Sequence, residues 1–413
     1  MRPLILAPSK IVLQTSASDW ADATGGGAVL FTDASDPAAV RAHTGQAFAH
    51  IETFADFAAS GMIERCAVAM HAESPFTSVV PLSEVDVLRS ARLRERFGLR
   101  GLTPADARLF RDKYAMKRRA VERGIPVTDF ALTEDALDVM DFVECHGFPV
   151  VVKPIDGRGS AGVRVLYDEA ELDAYLASPA FARHESPLIE RFVRGDMYQV
   201  NGIFLDGACR LVSTVKCINS NLDFLEGHYL GLVMLDESDP LRERLVEFGR
   251  RLLVEAMPMP ADGLFHIEVF HAEQDDQLLL CEVACRLAGC GCNDQIRHAY
   301  EVDVRLEYLR SQCLPEGSPL RTAPVAAPQR LMAELNIPPS EGVLLAQPHS
   351  LLTAGLRAQK YSGVQGRNYG KMAFTNGEIA TFLIEGRDMV QLVERVHELA
   401  ALYASECAWG AAN

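Results

Sequence analysis

The chain has 413 residues, of which 48% are hydrophobic and 23% charged, and 40 Lys plus Arg stand against 56 Asp plus Glu for a net charge of -16. That length allows two or three packed units, the composition is ordinary for a globular protein, and the acidic balance argues against a nucleic-acid partner held by a general positive field, while leaving room for a local basic pocket. No apolar run approaches the roughly 18 residues of a membrane span, Met1–Gln14 reads as a short strand and not as a secretory leader, and the ten scattered cysteines read as reduced thiols of a cytoplasmic protein.

In chain order, the first hundred residues alternate apolar runs with helical stretches. Leu4–Ala7, Ala28–Asp33 and Cys66–Ala72 are expected as buried parallel strands, and Asp36–His43 and His50–Ser60 as helices, which makes a small α/β unit. Ala7-Pro8-Ser9-Lys10 occupies the turn where a dinucleotide fold would carry GxGxxG, and Gly25-Gly26-Gly27 reads as a plain loop. Glu84–Phe97 has helical periodicity, and Thr103 is an N-cap for a helix expected from Pro104 to about Gly124. A short strand at Asp129–Leu132, a helix from Glu134 to Cys145 and a strand-rich passage (Phe148–Lys153, Gly162–Tyr167, Leu188–Phe192) follow. Gln199–Asp206 and Cys209–Val215 read as a hairpin around Asp206-Gly207. A helix over Pro240–Ala256 precedes two strands, Gly263–Phe270 and Gln277–Ala284, joined by the polar turn Ala272–Asp276, and the chain closes with more strands and a helix over Asp388–Ala404.

Three features carry chemistry. Val151-Val152-Lys153-Pro154 runs into Gly157-Arg158-Gly159-Ser160-Ala161-Gly162, so a strand ends in lysine, a glycine-rich turn follows and a second strand resumes. Glycines let backbone N–H groups approach an anion, and the lysine adds a point charge, which together make a phosphate cradle without the Walker A spacing. The alternative is a glycine-rich hairpin with a surface lysine. Next, Glu268 and Glu282 lie on strands that would pair across Ala272–Asp276, and two carboxylates on one face repel unless a cation sits between them. Magnesium bridging nucleotide phosphates suits that place, against the alternative of two solvated glutamates. Arg286 follows four residues after Glu282 and offers fixed charge to a transferring phosphoryl group. Cys281, Cys285, Cys290 and Cys292 form no CxxC pair and so lack a zinc-site spacing.

The order Asp112-Lys113, Lys153 with its glycine turn, Glu190-Arg191-Phe192-Val193, Glu268, Glu282 and Arg286 resembles the ATP-grasp superfamily, and within it the carboxylate–amine ligases that include the L-amino acid (dipeptide) ligases. The resemblance runs from about Phe76 to Tyr308 and includes Ser83-Glu84, Gly98-Leu99-Arg100-Gly101 and Gly124-Ile125-Pro126-Val127. It implies an α/β (α+β) ATP-grasp fold, with an N-terminal α/β domain over residues 1–110 and a nucleotide-binding region over 111–312. A lid subdomain is implied at about 127–193, and a C-terminal α+β region over 313–413.

By the same resemblance Lys113 and Lys153 contact nucleotide phosphates, and Gly159, Ser160, Ala161 and Gly162 belong to the loop that closes over them. Glu190, Arg191, Phe192 and Val193 meet the adenine, Glu268 and Glu282 bind magnesium (or manganese), Arg286 steadies an acyl-phosphate, and His228 lies in the substrate pocket. Two positions depart from the pattern. Ala284 stands where a metal-binding Asn is common, and in Gly195-Asp196-Met197-Tyr198 a Met replaces the ribose-binding acid, a role Asp196 could take. The implied reaction uses ATP and Mg2+ to activate a small carboxylate, an amino acid, as an acyl-phosphate and to join it to an amine, giving an amide or dipeptide with ADP and phosphate. The implied partners are these small molecules, with no membrane and no nucleic acid, and a homodimer. Rival readings are a biotin-type carboxylase, suggested by Ala115-Met116-Lys117-Arg118, a purine-pathway ligase, and a non-catalytic nucleotide-binding module.

Overall fold

A computed structural model describes the chain except residues 34, 183–186, 290, 319–326, 373, 376 and 412–413. The N-terminal strands β1 (Pro3–Leu6), β2 (Val29–Asp33), β3 (His50–Phe54) and β4 (Ser78–Pro81) form a sheet in the order β3-β2-β1-β4 with every neighbouring pair parallel. Two expectations are corrected here. His50–Phe54 is a strand, not the start of a helix, because Ile51 and Phe54 turn into the core. Cys66–Ala72 lies inside the helix Met62–Glu73, which buries only Ile63 and Ala67, one turn apart. Segments of five to seven residues such as these do not distinguish strand from helix by periodicity, and packing decided both cases.

The helix expected from Pro104 onward is broken into Pro104–Arg108 and Lys113–Glu122. Thr103 caps the first through the Asp106 N–H, and Asp112 caps the second by accepting from the Ala115 N–H at 3.0 Å. The second cap places Lys113 in the first turn of a new helix. Beyond it, β5 (Phe130–Leu132), β6 (Val150–Lys153), β7 (Arg164–Leu166) and β8 (Leu188–Arg191) make an antiparallel sheet in the order β5-β8-β6-β7. The helices Ala136–His146 and Glu169–Leu176 supply Val139, Phe142, Leu172 and Tyr175 to a separate core with Val150, Val152 and Ile189.

The largest sheet begins with two long strands, β9 (Gly195–Leu205) and β10 (Ala208–Ile218), paired antiparallel around the turn at Asp206 and Gly207. It continues through β11 (Leu230–Met234), β12 (Gly263–Ala272), β13 (Gln277–Ala284) and β14 (Leu331–Ile337). After them come β15 (Gly342–Ala346), β16 (Leu356–Tyr361), β17 (Asn368–Tyr369), β18 (Ala380–Gly386) and β19 (Ala408–Gly410). Eight of these make one sheet in the order β13-β12-β9-β10-β11-β14-β18-β16, and β17-β15-β19 form a small sheet of their own. The last hundred residues therefore extend the same sheet that carries Glu268 and Glu282.

Helices Cys292–Tyr300 and Val304–Cys313 fill the space between the N-terminal sheet and the large one. Ile5, Leu30 and Val80 on one side share a core with Ile296, Ala299 and Leu309 and with Ile203, Val215 and Met332 on the other. The C-terminal helix Met389–Glu406 lays Leu392, Val396 and Leu399 on Val233, Leu335 and Phe382 of the large sheet. No helix among the described residues is long and apolar enough to cross a membrane.

Candidate active site

β12 and β13 pair antiparallel with Glu268 directly opposite Glu282, and a register shift follows between Glu268 and Val269. Facing cross-strand side chains lie about 4.5–5.5 Å apart at Cβ, so the strand pairing itself brings the two carboxylates together. Their electrostatic surroundings are cationic. Lys113 Nζ stands 3.3 Å from Glu282 Oε2 and also donates to the Gly157 carbonyl at 2.8 Å. His266, two residues before Glu268 on the same face, puts Nε2 3.4 Å from Glu268 Oε1, and its Nδ1 contacts Asn201 Oδ1 at 2.8 Å. Asn221 Nδ2 reaches Glu268 Oε1 at 3.4 Å. Burial would raise the Glu268 pKa, but the His266 contact and the charges of Arg286 and Lys113 hold it below the usual carboxylate value.

Beneath the glycine turn lies a second ionic cluster. Glu190 on β8 takes Lys153 Nζ at 2.7 Å on Oε2 and faces Lys117 Nζ at 3.0 Å on Oε1. The Oε1 contact lacks hydrogen-bond alignment and acts as an ion pair, while Lys117 donates to the Leu280 carbonyl at 2.9 Å. All three side chains are withdrawn from water. Burial alone would favour the neutral forms of Glu190 and Lys153. The mutual charge overrides it, lowering the Glu190 pKa and raising that of Lys153. The carboxylate expected to meet a base is thus turned onto two ammonium groups, and the N–H groups of Arg191 and Phe192 donate to the carbonyls of Asp129 and Pro149 at 3.0 and 3.2 Å.

A third group joins the N-terminal unit to the site. Glu84 accepts from Arg111 Nη1 at 2.6 Å and from Arg286 Nε, and Arg111 reaches the Asp156 carbonyl at 2.6 Å beside the glycine turn. Although burial opposes ionisation, the two guanidinium groups hold the Glu84 carboxyl down at about 2. The turn itself demands a left-handed backbone: Gly159, Ser160 and Gly162 have φ of 57°, 58° and 76°. A Cβ on Gly162 would stand 2.9 Å from Pro154 Cγ. The Gly159 carbonyl accepts from the Thr375 N–H at 3.0 Å, so the turn rests on the segment before β18.

Lys113, Lys153, Glu190, Glu268, Glu282, Arg286 and the Gly159–Gly162 turn therefore converge. Two expected residues stand further out: His228 is exposed on the turn before β11, its N–H bonded to the Asp223 carbonyl at 3.0 Å, and Asp196 is ion-paired to Lys216 at 2.5 Å. His266, Asn201, Asn221 and Arg111 were not singled out from the sequence, Lys117 appeared only within the biotin-type tetrapeptide, and Glu84 only within the Ser83-Glu84 part of the resemblance. Lys117 follows Lys113 by one helical turn and His266 shares a strand face with Glu268, so the periodicities held those two signals. Glu84 entered only through the resemblance, and Arg111 comes from another element and had no signal.

The donor set fits a nucleotide held through a divalent cation. It has two opposed carboxylates, buried lysines and a left-handed glycine turn. Among the described residues no group of three or more His, Cys, Asp or Glu could hold a metal alone, so phosphate oxygens and water would complete the shell of such an ion.

Residues 146–294 match the ATP-grasp domain family. Over 238 residues the chain is 26% identical to the L-arginine-specific L-amino acid ligase of Bacillus subtilis, covering 56% of each protein, so it spans little more than half of that relative. It is 31% identical to the D-alanine–D-alanine ligase of Geobacter sulfurreducens over 144 residues, 35% of this chain and 44% of that one. The structure superposes on the L-amino acid ligase of Bacillus licheniformis with a TM-score of 0.75 at 17% identity, covering 100% of this chain and 99% of the other. A carboxyaminoimidazole ribonucleotide synthase from Aspergillus clavatus, solved with ATP, gives 0.69 at 14% identity over 98% of both chains. The architecture is the ATP-grasp fold.

Proposed function

We propose that this chain, which carries an ATP-grasp domain, is an ATP-dependent carboxylate–amine ligase that joins one amino acid to another amine, preferably a second amino acid. The observation that carries this reading is the direct pairing of Glu268 with Glu282 beside Lys113 and within the field of Arg286. The names of its relatives among the L-amino acid and D-alanine–D-alanine ligases support the class of substrate.

Each part of the site has a physical task. Glu268 and Glu282 would hold magnesium, which neutralises charge on the transferring phosphoryl group. Lys113 and Lys153 fix the phosphate chain, with Lys153 kept charged in a dry site by Glu190. Arg286 meets the carboxylate that becomes activated, and when it does so it must leave or share Glu84. The glycine turn, seated on the segment at Thr375, excludes water so that the amine is the nucleophile that reacts.

Phosphate and ADP release from the full chain, measured with ATP, Mg2+ and pairs of amino acids, tests the reading. Release that needs both an acid and an amine, and that falls at least about a hundredfold in Glu282→Gln, is expected. Release that depends on bicarbonate instead, or none with any pair despite nucleotide binding, would sink it.

A further inference from the structure

Resting on the ligase reading, we propose that Glu334 and Glu378 form the wall of the substrate pocket that recognises a positively charged group, an ammonium or guanidinium, on one of the two substrates. Glu334 lies in the middle of β14 and is fully buried. Its Oε1 accepts from the Gly291 N–H and from Asn336 Nδ2, both at 2.7 Å. Its Oε2 is buried and has no hydrogen-bond partner among the described residues. Glu378, just before β18, repeats the situation: Oε1 accepts from Lys10 Nζ at 3.1 Å, and Oε2 is buried and unpartnered. Two acidic side chains thus each keep one bare oxygen away from water, where an unpaired charged acceptor is costly. They also repel each other. Burial, with Glu378 and Asp294 adding to it, pushes the Glu334 carboxyl up to about 7 against the opposing Gly291 and Asn336 hydrogen bonds.

Their position ties them to the reaction centre. Gly291, whose N–H holds Glu334, ends the short loop that begins at Arg286, and Cys292 lies within the fields of both Arg286 and Glu334. Glu378 is three residues from Thr375, which bears the glycine turn. Lys10 comes from the short helix Ser9–Val12 after β1, with its side chain 58% exposed, so the cation now on Glu378 is tethered by a solvated, flexible stem and can yield to another. What the two oxygens lack is a cation, and a substrate bound at Arg286 under the closed turn would carry one there. Among the described residues no other cationic side chain hydrogen-bonds either carboxylate.

The charge has two sources, the α-ammonium of an amino acid or a basic side chain, and substrate pairs separate them. Phosphate release by the full chain is measured with lysine against norleucine, arginine against citrulline, and lysine against 6-aminohexanoate, which keeps the distal amine and lacks the α-ammonium. In Glu334→Gln and in Glu378→Gln, KM for lysine and arginine rises at least about tenfold relative to norleucine and citrulline if the pair reads a side-chain cation, and KM for all four amino acids rises by that much relative to 6-aminohexanoate if it reads the α-ammonium, while kcat and KM for ATP move little by comparison. An effect kept with 6-aminohexanoate assigns the pair to a side chain, and one lost with it assigns the pair to the α-ammonium. Equal changes for every acid, 6-aminohexanoate included, or no change in any, would show that the carboxylates are structural and overturn the proposal. If no acid supports release, the ligase reading fails by itself. The subsite is then judged by lysine-induced thermal stabilisation with MgADP present, which it requires in the wild type and loses in Glu378→Gln. Glu378 lies outside the centre of the sheet, so its variant serves if Glu334→Gln does not fold.

Discussion

The charges of this site are stable only as sets. Glu190 stands between Lys117 and Lys153 with no access to water, and removing its charge leaves two buried ammonium groups without a counter-ion. Glu190→Gln is therefore expected to cost about 3–5 kcal/mol of unfolding free energy, read from urea denaturation. A loss under 1 kcal/mol would mean that water or backbone carbonyls already solvate the lysines. Glu84 predicts a pH dependence. Its carboxyl is held at about 2 against 4.5 unperturbed, so its stabilisation is complete above 4.5 and is lost as pH falls from there toward 2. The span corresponds to roughly 3 kcal/mol. Acid unfolding of the wild type should steepen across that window, and Glu84→Gln should flatten it. The motif residues Lys153, Glu268, Glu282 and Arg286 were legible in the sequence because each sits beside a glycine turn or on an alternating strand. Arg111, Glu334 and the pairing of Glu84 with two arginines were not, because a charged residue carries no local mark of the partner it will meet from another element.

At the level of elements, the strand pairing and the turn do the positioning. One register slip between β12 and β13 would send Glu282 to the opposite face from Glu268. The bulge after Glu268 lies beyond the pair and leaves it facing. The glycine turn is held by its backbone: Gly162 has φ of 76°, and an added Cβ would fall 2.9 Å from Pro154 Cγ. Gly162→Val is expected to leave the far-ultraviolet circular dichroism unchanged and to raise KM for ATP about tenfold or more, because the strain falls on the loop that covers the phosphates. An unchanged KM would show that the turn does not touch nucleotide. Elements with strong local signals were legible: the β9–β10 hairpin, the cap Thr103 and the β12–β13 pair, whereas the helix break capped by Asp112 was not. Cys66–Ala72 and His50–Phe54 exchanged identities because short apolar runs fit either period, and contact with the neighbouring sheet chose between them.

In the molecule as a whole, three bodies of secondary structure meet around the carboxylate pair: the parallel N-terminal sheet, the small sheet with its own core, and the eight-stranded sheet. A ligand that bridges them stabilises the native state by mass action. MgADP at a hundred times its dissociation constant should add about 2.7 kcal/mol, seen as a rise in the thermal midpoint that EDTA reverses. A rise of equal size with ADP and EDTA together would mean that the glutamates hold no metal. The amino-acid sequence by itself determined the chemistry on offer, because glycine spacing, strand alternation and the order of lysines, glutamates and arginine are local properties that a chain carries wherever it folds. Only the tertiary structure decided which charges became partners: Glu190 with two lysines, Glu84 with two arginines, and Glu334 and Glu378 each with an oxygen left bare among the described residues. Coulomb energy in a dry interior depends on distances across elements far apart in the chain, and those distances exist only once the sheets have assembled.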